Sequence, residues 1–162
     1  MYKKDTEELL AEIKNDADME KFLSKNRKEF KKPLHEYLSQ IVEEKGLNKK
    51  DIVKNSNLNP NYVYHILSGE RTNPSRPKLI AIAMAMNLNF DEIQYLLRYV
   101  GFSPLYPRNP WDTIVISAVN KGLSVLETDN LLDKLGETVL LGNVKKIYMD
   151  NKEENAQFIN KL

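Results

Sequence analysis

The chain has 162 residues, enough for one compact domain with a buried core and attached helices. Its 24 lysines and arginines nearly balance its 23 aspartates and glutamates, so any nucleic-acid contact must come from a local patch. It has no cysteine, which excludes disulfides, thiolate metal sites and a cysteine nucleophile. Its apolar runs are shorter than the ~20 residues of a membrane span, and its charged N-terminus lacks the apolar core of a signal peptide. We therefore expect a cytoplasmic protein without membrane contact.

Residues 1–32 predict a helical extension made of two helices. Leu9, Leu10 and Ile13 recur at helical spacing, and the NDAD stretch at residues 15–18 predicts a stop followed by a new N-cap. The second helix is predicted to end near Lys31-Lys32. Both helices carry dense charges of both signs, which is typical of a solvated face and disfavours a specific binding patch.

Residues 33–102 predict a core of five helices with stop and start signals between them. Pro33 fits the first position of a helix, and Gly46 suits the left-handed residue that closes it. Asn48 with Asp51 is a variant of the capping box and predicts the start of the next helix. Asn57 tolerates the positive φ that a tight turn requires.

The third helix of this core is predicted at about residues 60–68, with Asn59 as its N-cap and Pro60 at its first position. At 100° per residue its apolar residues share one face. That face carries Val63, Ile66 and Leu67, the opposite face carries Asn61, Tyr64, His65 and Ser68, and Tyr62 lies on the flank. One face is expected to pack and the other to contact a partner.

Gly69 is predicted to end that helix, and Glu70 to Lys78 is predicted to form a turn-rich loop. The apolar run from Leu79 to Met86 predicts the most buried helix of the protein. Asn89 with Glu92 repeats the capping box and predicts the start of the fifth helix.

Residues 103–136 predict a helical extension packed on this core. Three prolines in residues 103–110 predict a non-helical connector, with Leu105, Tyr106 and Trp111 packed against the domain. Helices are expected from Trp111 to about Lys121 and from Ser124 to about Leu135. The KGLS sequence at 121–124 resembles KGLN at 45–48, which we interpret as one capping solution used twice. Residues 137–162 predict a tail that is partly helical or mobile.

Catalytic signals are weak. His35 and His65 lie in different predicted helices without partners at metal-ligand spacing, and no Gly-rich phosphate loop is present. Adjacent carboxylates such as Glu43-Glu44 point in different directions on a helix. We therefore expect no enzyme activity, no catalytic residues, no metal site and no cofactor.

From about Leu34 to Leu97 the sequence resembles the Cro/repressor-type helix-turn-helix family, also called XRE or lambda-repressor-like. The features that carry the resemblance are Gly46-Leu47, Ile52-Val53, Leu58-Asn59, Val63, Ile66, Gly69, Asn73-Pro74, the Leu79 to Leu88 helix and Asn89…Glu92. Including the later segments, the chain looks like a bacterial XRE-type variant with extra flanking helices. The resemblance implies an all-α fold, with a five-helix helix-turn-helix core, two N-terminal flanking helices and two C-terminal ones.

The resemblance also implies sequence-specific binding of double-stranded DNA by a transcriptional regulator. The helix at 60–68 would enter the major groove, and its residues would contact base edges. The implied base contacts are Asn61, Tyr62 and His65. The implied phosphate contacts are Lys49, Tyr64, Ser68, Arg71, Arg76 and Lys78.

The sequence departs from the family pattern at the contacting face. Leu67 replaces a common glutamate, and Glu70 occupies a place that is often basic. Residues 33–78 hold seven lysines and arginines against five acids, so few phosphates can be neutralised and a homodimer is expected. The alternative is a protein-interaction adaptor that uses the same fold to bind a partner such as a protein kinase.

Overall fold

The computed structural model describes residues 2–15 and 17–142, and its regular secondary structure over these ranges is helical throughout. The chain divides into two compact units, the first ending at Pro33 and the second beginning at Leu34. The first unit holds α1 (Thr6–Asn15), α2 (Met19–Lys25) and a 3-10 turn (Arg27–Glu29). The second unit holds α3 (Leu34–Glu44), α4 (Lys49–Ser56), α5 (Pro60–Ser68), α6 (Arg76–Ala85), α7 (Phe90–Val100), α8 (Pro110–Asn120) and α9 (Val125–Lys134).

The first unit confirms the predicted cap at Asp18, whose side chain accepts a hydrogen bond from the Lys21 N–H at 3.1 Å. The predicted end near Lys31-Lys32 is wrong, because α2 ends at Lys25. Asn26 closes it there, since its backbone N–H and its side-chain amide both donate to the carbonyl of Phe22. The residues that follow form the 3-10 turn.

Polar contacts hold the start of the chain within this unit. One carboxylate oxygen of Glu29 accepts hydrogen bonds from the backbone N–H groups of Lys3 and Lys4. The Lys4 ammonium donates to Glu12 at 2.6 Å and to Asn26 at 2.7 Å. The hydrogen bond from Lys4 holds the pKa of the Glu12 carboxyl below its usual value.

The core of the second unit is built around α6. Leu79, Ile80, Ala81, Ile82 and Ala83 are all fully buried, which confirms that this is the most buried helix. It packs against α4, α7 and α9. The helix begins at Arg76, so the predicted extension of the loop to Lys78 is wrong. Pro77 lies in the first helical turn, where a missing N–H group costs nothing.

Three turns between consecutive helices of this unit have the same backbone geometry. Gly46, Asn87 and Gly122 have positive φ angles of 60°, 56° and 67°. In each turn the following leucine donates its N–H to a carbonyl five residues earlier, as in a Schellman closure. These bonds are Leu47 to Val42, Leu88 to Ala83 and Leu123 to Ala118, at 2.9, 3.1 and 3.0 Å. The likeness between residues 45–48 and 121–124 is thus a shared capping solution, and it recurs at residues 86–89.

The residue after each leucine caps the next helix. Asn89 and Glu92 form the complete reciprocal capping box that the sequence predicted. The Ser124 hydroxyl accepts from the N–H of Glu127. Asn48 also caps its helix, and its side chain accepts from the N–H of Lys50 at 2.8 Å. The predicted pairing was with Asp51, so the observed cap is one residue tighter.

The connector and the C-terminal extension pack within the second unit. Leu105 is buried, and its backbone exchanges two hydrogen bonds with the Gln94 amide. Trp111 is half-buried and donates to the carbonyl of Thr138 at 2.7 Å. Tyr106 is 55% exposed, so its predicted packing is wrong. Tyr106 is held through its backbone instead, because its N–H group donates a hydrogen bond to the carboxylate of Asp112.

A buried carboxylate holds the segment that follows α9. Asp129 is fully buried and accepts from the N–H groups of Leu140 and Leu141 at 2.6 and 3.2 Å. Leu140 is buried with the core. The predicted tail at 137–162 is therefore anchored as far as residue 141, and its part from residue 143 onward lies outside the described residues.

Candidate nucleic-acid interface

Two polar side chains shape the turn between α4 and α5. Asn57 adopts the predicted left-handed conformation, with φ of 57°, and its amide donates to the carbonyl of Asn55. The fully buried Ser56 hydroxyl donates to the Val53 carbonyl at 2.8 Å and accepts from the Leu58 N–H at 3.3 Å. The role of Ser56 was not predicted, because the sequence marks this residue only by its place beside the turn asparagine. These bonds fix the direction in which α5 leaves the turn.

The start of α5 follows the predicted pattern. The Asn59 side chain accepts from the N–H of Tyr62 at 3.3 Å, and Pro60 occupies the first turn. Asn61 is exposed in that same turn. A polar side chain at this end of a helix is well placed to contact a base edge when the N-terminus enters a groove.

The two predicted faces of α5 are confirmed. Val63, Ile66 and Leu67 are buried. Because the side chain at position 67 lies in the core, leucine fits there and the glutamate common in the family would not. The outward residues Asn61, Tyr64, His65 and Ser68 are all exposed. The helix therefore joins a packing face to a solvent-facing polar face.

Tyr62 lies where α5, the following loop and α6 meet. The Arg71 guanidinium carbon lies 5.1 Å and the Lys78 ammonium 4.6 Å from the centroid of its ring, both within cation–π distance. Burial raises the pKa of Tyr62, against the opposing effects of the Arg71 charge and the Ser75 backbone. The structure thus brings three predicted site residues together. We call Tyr62, Arg71 and Lys78 the tyrosine–cation cluster.

His65 is paired with Glu70 on the exposed side of α5. The His65 Nε2 atom lies 3.2 Å from the Glu70 Oε2 atom, and both side chains are largely exposed. The His65 carbonyl accepts from the N–H groups of Gly69 and Arg71 at 3.1 and 3.0 Å, which folds the loop back onto the helix end. A carboxylate therefore lies beside a predicted base contact.

Two predicted phosphate contacts on α5 differ in their surroundings. Tyr64 is 40% exposed on the outward face. The Ser68 hydroxyl donates to the His65 carbonyl at 3.3 Å and accepts from the Glu70 N–H at 3.4 Å, so it takes part in closing the helix. Of these two side chains, Tyr64 is the better placed to contact a ligand.

Lys49 is the first residue of α4, and its side chain is exposed, as a phosphate contact requires. Lys50 and Lys54 are exposed on the same helix. Because α4 packs directly against α5, its cations add positive charge to the helix-turn-helix.

Arg76 is bound to the connector and to α8. Its guanidinium donates to both carboxylate oxygens of Asp112, at 2.9 and 3.1 Å, and to the carbonyls of Ser103 and Pro104 at 3.0 and 3.2 Å. It also lies 5.7 Å from the ring centroid of Trp111. This set of partners places Arg76 apart from the tyrosine–cation cluster, and we leave it out of the candidate interface.

Gly69 closes α5 with a φ of 88° beside the ring of His35 on α3. A β-carbon at this position would lie 2.7 Å from the His35 Nδ1 atom. Both the backbone conformation and the space therefore require glycine. This contact sets how closely α3 approaches the end of α5.

Within residues 2–15 and 17–142, no group of three or more histidines, aspartates and glutamates is arranged to hold a metal ion. Over the same ranges, no helix combines the length and apolar character needed to cross a membrane.

The fold and the α4–α5 pair define an all-α protein of the helix-turn-helix class. Residues 38–93 match the family model HTH_3, described as helix-turn-helix. This segment runs from α3 into α7 and matches the helix-turn-helix fold that the sequence predicted. Comparisons with curated proteins and with solved structures give no match.

Proposed function

We propose that this protein is a sequence-specific DNA-binding transcriptional regulator of the cytoplasm that inserts α5 into the major groove of double-stranded DNA. The observation that carries this proposal is the exposed polar face of α5, flanked by the tyrosine–cation cluster within a helix-turn-helix domain. Cations beside a recognition helix bind phosphates and set its register, while the helix itself reads bases.

The proposed roles follow from exposure and chemistry. Asn61 pairs with an adenine through its amide, and His65 contacts a neighbouring base edge. Lys49, Tyr64, Arg71 and Lys78 contact phosphates. Tyr62 acts by holding two of these cations in place, since both lie within cation–π distance of its ring.

A single copy neutralises few phosphates, because residues 33–78 carry a surplus of only two positive charges. We propose that the regulator therefore acts as a homodimer, with each α5 in one half-site. Two major-groove helices of a dimer are spaced about one turn of DNA apart, roughly 34–36 Å. The proposal includes no catalytic step.

The decisive experiment is selection from a random pool of double-stranded DNA, run at two salt concentrations. We expect an enriched motif with two related half-sites, together with an affinity that falls steeply as salt rises. Recovery of a pool as random as the starting one, at both salt concentrations, would show that this protein is not a sequence-specific DNA binder.

One observation favours the alternative, a protein-binding adaptor. Glu70 places a carboxylate on the outward side of α5, where it would repel phosphate and could pair with a basic partner protein. Glu70→Gln separates the two functions. A regulator gains affinity for all DNA sequences, whereas an adaptor loses affinity for its protein partner and binds no DNA in either form.

A further inference from the structure

A cavity of about 520 Å³ lies where the helix-turn-helix meets the C-terminal extension. It is lined by the end of α4, the end of α6 and the segment from Gly122 to Glu127, which leads from α8 into α9. A smaller cavity of about 230 Å³ adjoins it and shares Met84 and Asn87 among its lining residues. Cavities that bind small molecules typically measure about 300–1,000 Å³. The larger of the two, which we call the α4–α6–α9 cavity, is therefore large enough for a small organic ligand.

Three helices end at the α4–α6–α9 cavity. The left-handed residues that follow α4, α6 and α8 all line it, and they are Asn57, Asn87 and Gly122. The C-terminal end of a helix carries a partial negative charge of roughly half an elementary charge, because its last carbonyls point outward along the axis. Glu127 lines the same cavity and adds a full negative charge. The cavity therefore favours a ligand that carries a cationic group.

The cavity also has a source of positive charge. Lys54 lines it from the last turn of α4, and α9 begins beside it at Val125, where the N-terminal end of the helix carries a partial positive charge. Among the described residues, neither the Lys54 ammonium nor the Glu127 carboxylate has an ion-pair or hydrogen-bond partner. A ligand that carries charges of both signs can pair with both side chains.

Apolar residues complete the lining of the cavity. Ala85 and Val125 are buried, and Met84 and Leu123 are half-buried. Such a lining favours the carbon skeleton of an organic molecule over a bare ion.

We propose that the α4–α6–α9 cavity binds a free α-amino acid. Its ammonium group pairs with Glu127 and with the negative helix ends, and its carboxylate pairs with Lys54. The inference goes beyond the proposed function, because binding of the amino acid requires no DNA. The bound molecule contacts the helix-turn-helix on one side and the C-terminal extension on the other.

The first test measures the thermal unfolding of the full chain with each common L-amino acid in turn. A molecule that binds only the folded state stabilises it by mass action, so at about 10 mM at least one amino acid is expected to raise the melting temperature. Titration calorimetry of the strongest binder then gives its dissociation constant for the wild-type chain. If no amino acid raises the melting temperature, the proposal is overturned.

The second test removes one charge from the amino acid and one from the protein. The amide derivative of the same amino acid lacks the carboxylate, and the N-acetyl derivative lacks the ammonium group. Each derivative is expected to bind the wild-type chain at least about tenfold more weakly than the free amino acid. Lys54→Ala is expected to bind the free amino acid and its amide equally. Glu127→Gln is expected to bind the free amino acid and its N-acetyl derivative equally.

Two variants outside the cavity are matched controls. Lys50→Ala removes another exposed lysine of α4, and Glu137→Gln removes another half-buried glutamate. Both controls are expected to bind the free amino acid with wild-type affinity and to discriminate against both derivatives as the wild type does. The melting temperature of each variant without the amino acid shows that the variant is folded.

Two results would contradict this site in a chain that binds an amino acid. If Lys54→Ala and Glu127→Gln both bind it as tightly as the wild type does, it binds outside the cavity. If each variant loses the same factor of affinity for the free amino acid and for its derivatives, the two side chains do not pair with its charges, and the proposal is overturned too.

The outcomes for the cavity and for DNA binding are separable. A chain that binds an amino acid and enriches no DNA sequence contradicts the proposed function and leaves the cavity site standing. A chain that enriches a DNA motif and binds no amino acid contradicts the cavity site and leaves DNA binding standing.

Discussion

Arg76 and Asp112 form a two-pronged ion pair, with N–O distances of 2.9 and 3.1 Å, between residues 36 apart in the sequence. The pair joins the first residue of α6 to the first turn of α8. It is partly shielded from solvent, because the side chains of Arg76 and Asp112 are 22% and 8% exposed. In the second unit, it is a bond between the helix-turn-helix domain and its C-terminal extension.

Arg76→Ala is expected to lower the free energy of unfolding by about 2–4 kcal/mol, because it leaves the buried carboxylate of Asp112 without its charged partner. Denaturant unfolding measures the change, and Arg108→Ala is the control, since Arg108 is exposed in the connector. The salt dependence of DNA binding should stay as in the wild type. If Arg76→Ala instead reduced the slope of log DNA affinity against log salt concentration by about one and left the stability unchanged, Arg76 would be a phosphate contact.

Asn61→Ala is expected to relax specificity at one base position of the selected motif. Loss of a paired amide contact costs about 1–3 kcal/mol of discrimination, while affinity for random DNA should hardly change. Competition binding with matched and mismatched duplexes measures this loss. Asn55→Ala is the control, because that asparagine is exposed just before the turn and outside α5. Unchanged discrimination in Asn61→Ala would remove this residue from base readout.

Arg71→Ala is expected to weaken binding to all sequences alike. Removing one phosphate contact should reduce the slope of log affinity against log salt by about one. Tyr62→Leu removes the ring that holds both cations, and it should lower affinity without changing the slope as much. If Arg71→Ala alters base preference while the slope stays constant, the cation contacts bases and not phosphates.

The stability of the protein should depend on pH through Asp129. Burial raises the pKa of this carboxyl to about 6 from an ordinary 3.8, against the opposing effect of the hydrogen bonds from Leu140 and Leu141. Because the folded state holds this proton more tightly than the unfolded state, the contribution of Asp129 is most favourable below about pH 4. It declines by roughly 2–3 kcal/mol as pH rises through 6.

Asp129→Asn should flatten this decline when the unfolding free energy is measured between pH 4 and 7. Asp133→Asn is the matched control, because Asp133 is exposed and acts on Asp129 only through its charge. A decline of equal size in Asp129→Asn and in the wild type would show that other groups cause it.

Gly69→Ala is expected to destabilise the protein by roughly 1–3 kcal/mol, since it combines an unfavourable φ with a clash against His35. Gly46→Ala isolates the backbone cost, because its φ is 60° and nothing lies within 4 Å of the added β-carbon. Thermal unfolding compares the two, and His35→Ala in the Gly69→Ala background should recover part of the loss. Equal effects of Gly69→Ala and Gly46→Ala would show that the histidine ring moves aside at no cost.

The sequence predicted those parts of the fold that depend on neighbours in the chain. The caps at Asn59 and Asn89, the left-handed Asn57 and the two faces of α5 all follow from local stereochemistry. The burial of α6 followed from its composition alone.

Contacts between distant residues were beyond such prediction. Arg76 was expected in a loop beside DNA, yet its partner Asp112 lies in another helix and nothing in the local sequence marks the pair. The assembly of the tyrosine–cation cluster likewise depends on where the fold places Arg71 and Lys78 relative to the ring of Tyr62. Ser56 looked like one more polar residue in a turn, and only its burial reveals that it holds the turn together.

The repeated turns have a consequence for how the chain folds. The residues at 45–48, 86–89 and 121–124 turn the chain through bonds that span no more than six residues. Helix directions can therefore be set before distant segments meet, which lowers the entropy that must be lost in the folding transition state. We expect the second unit to refold within milliseconds, as helical domains rich in local contacts do.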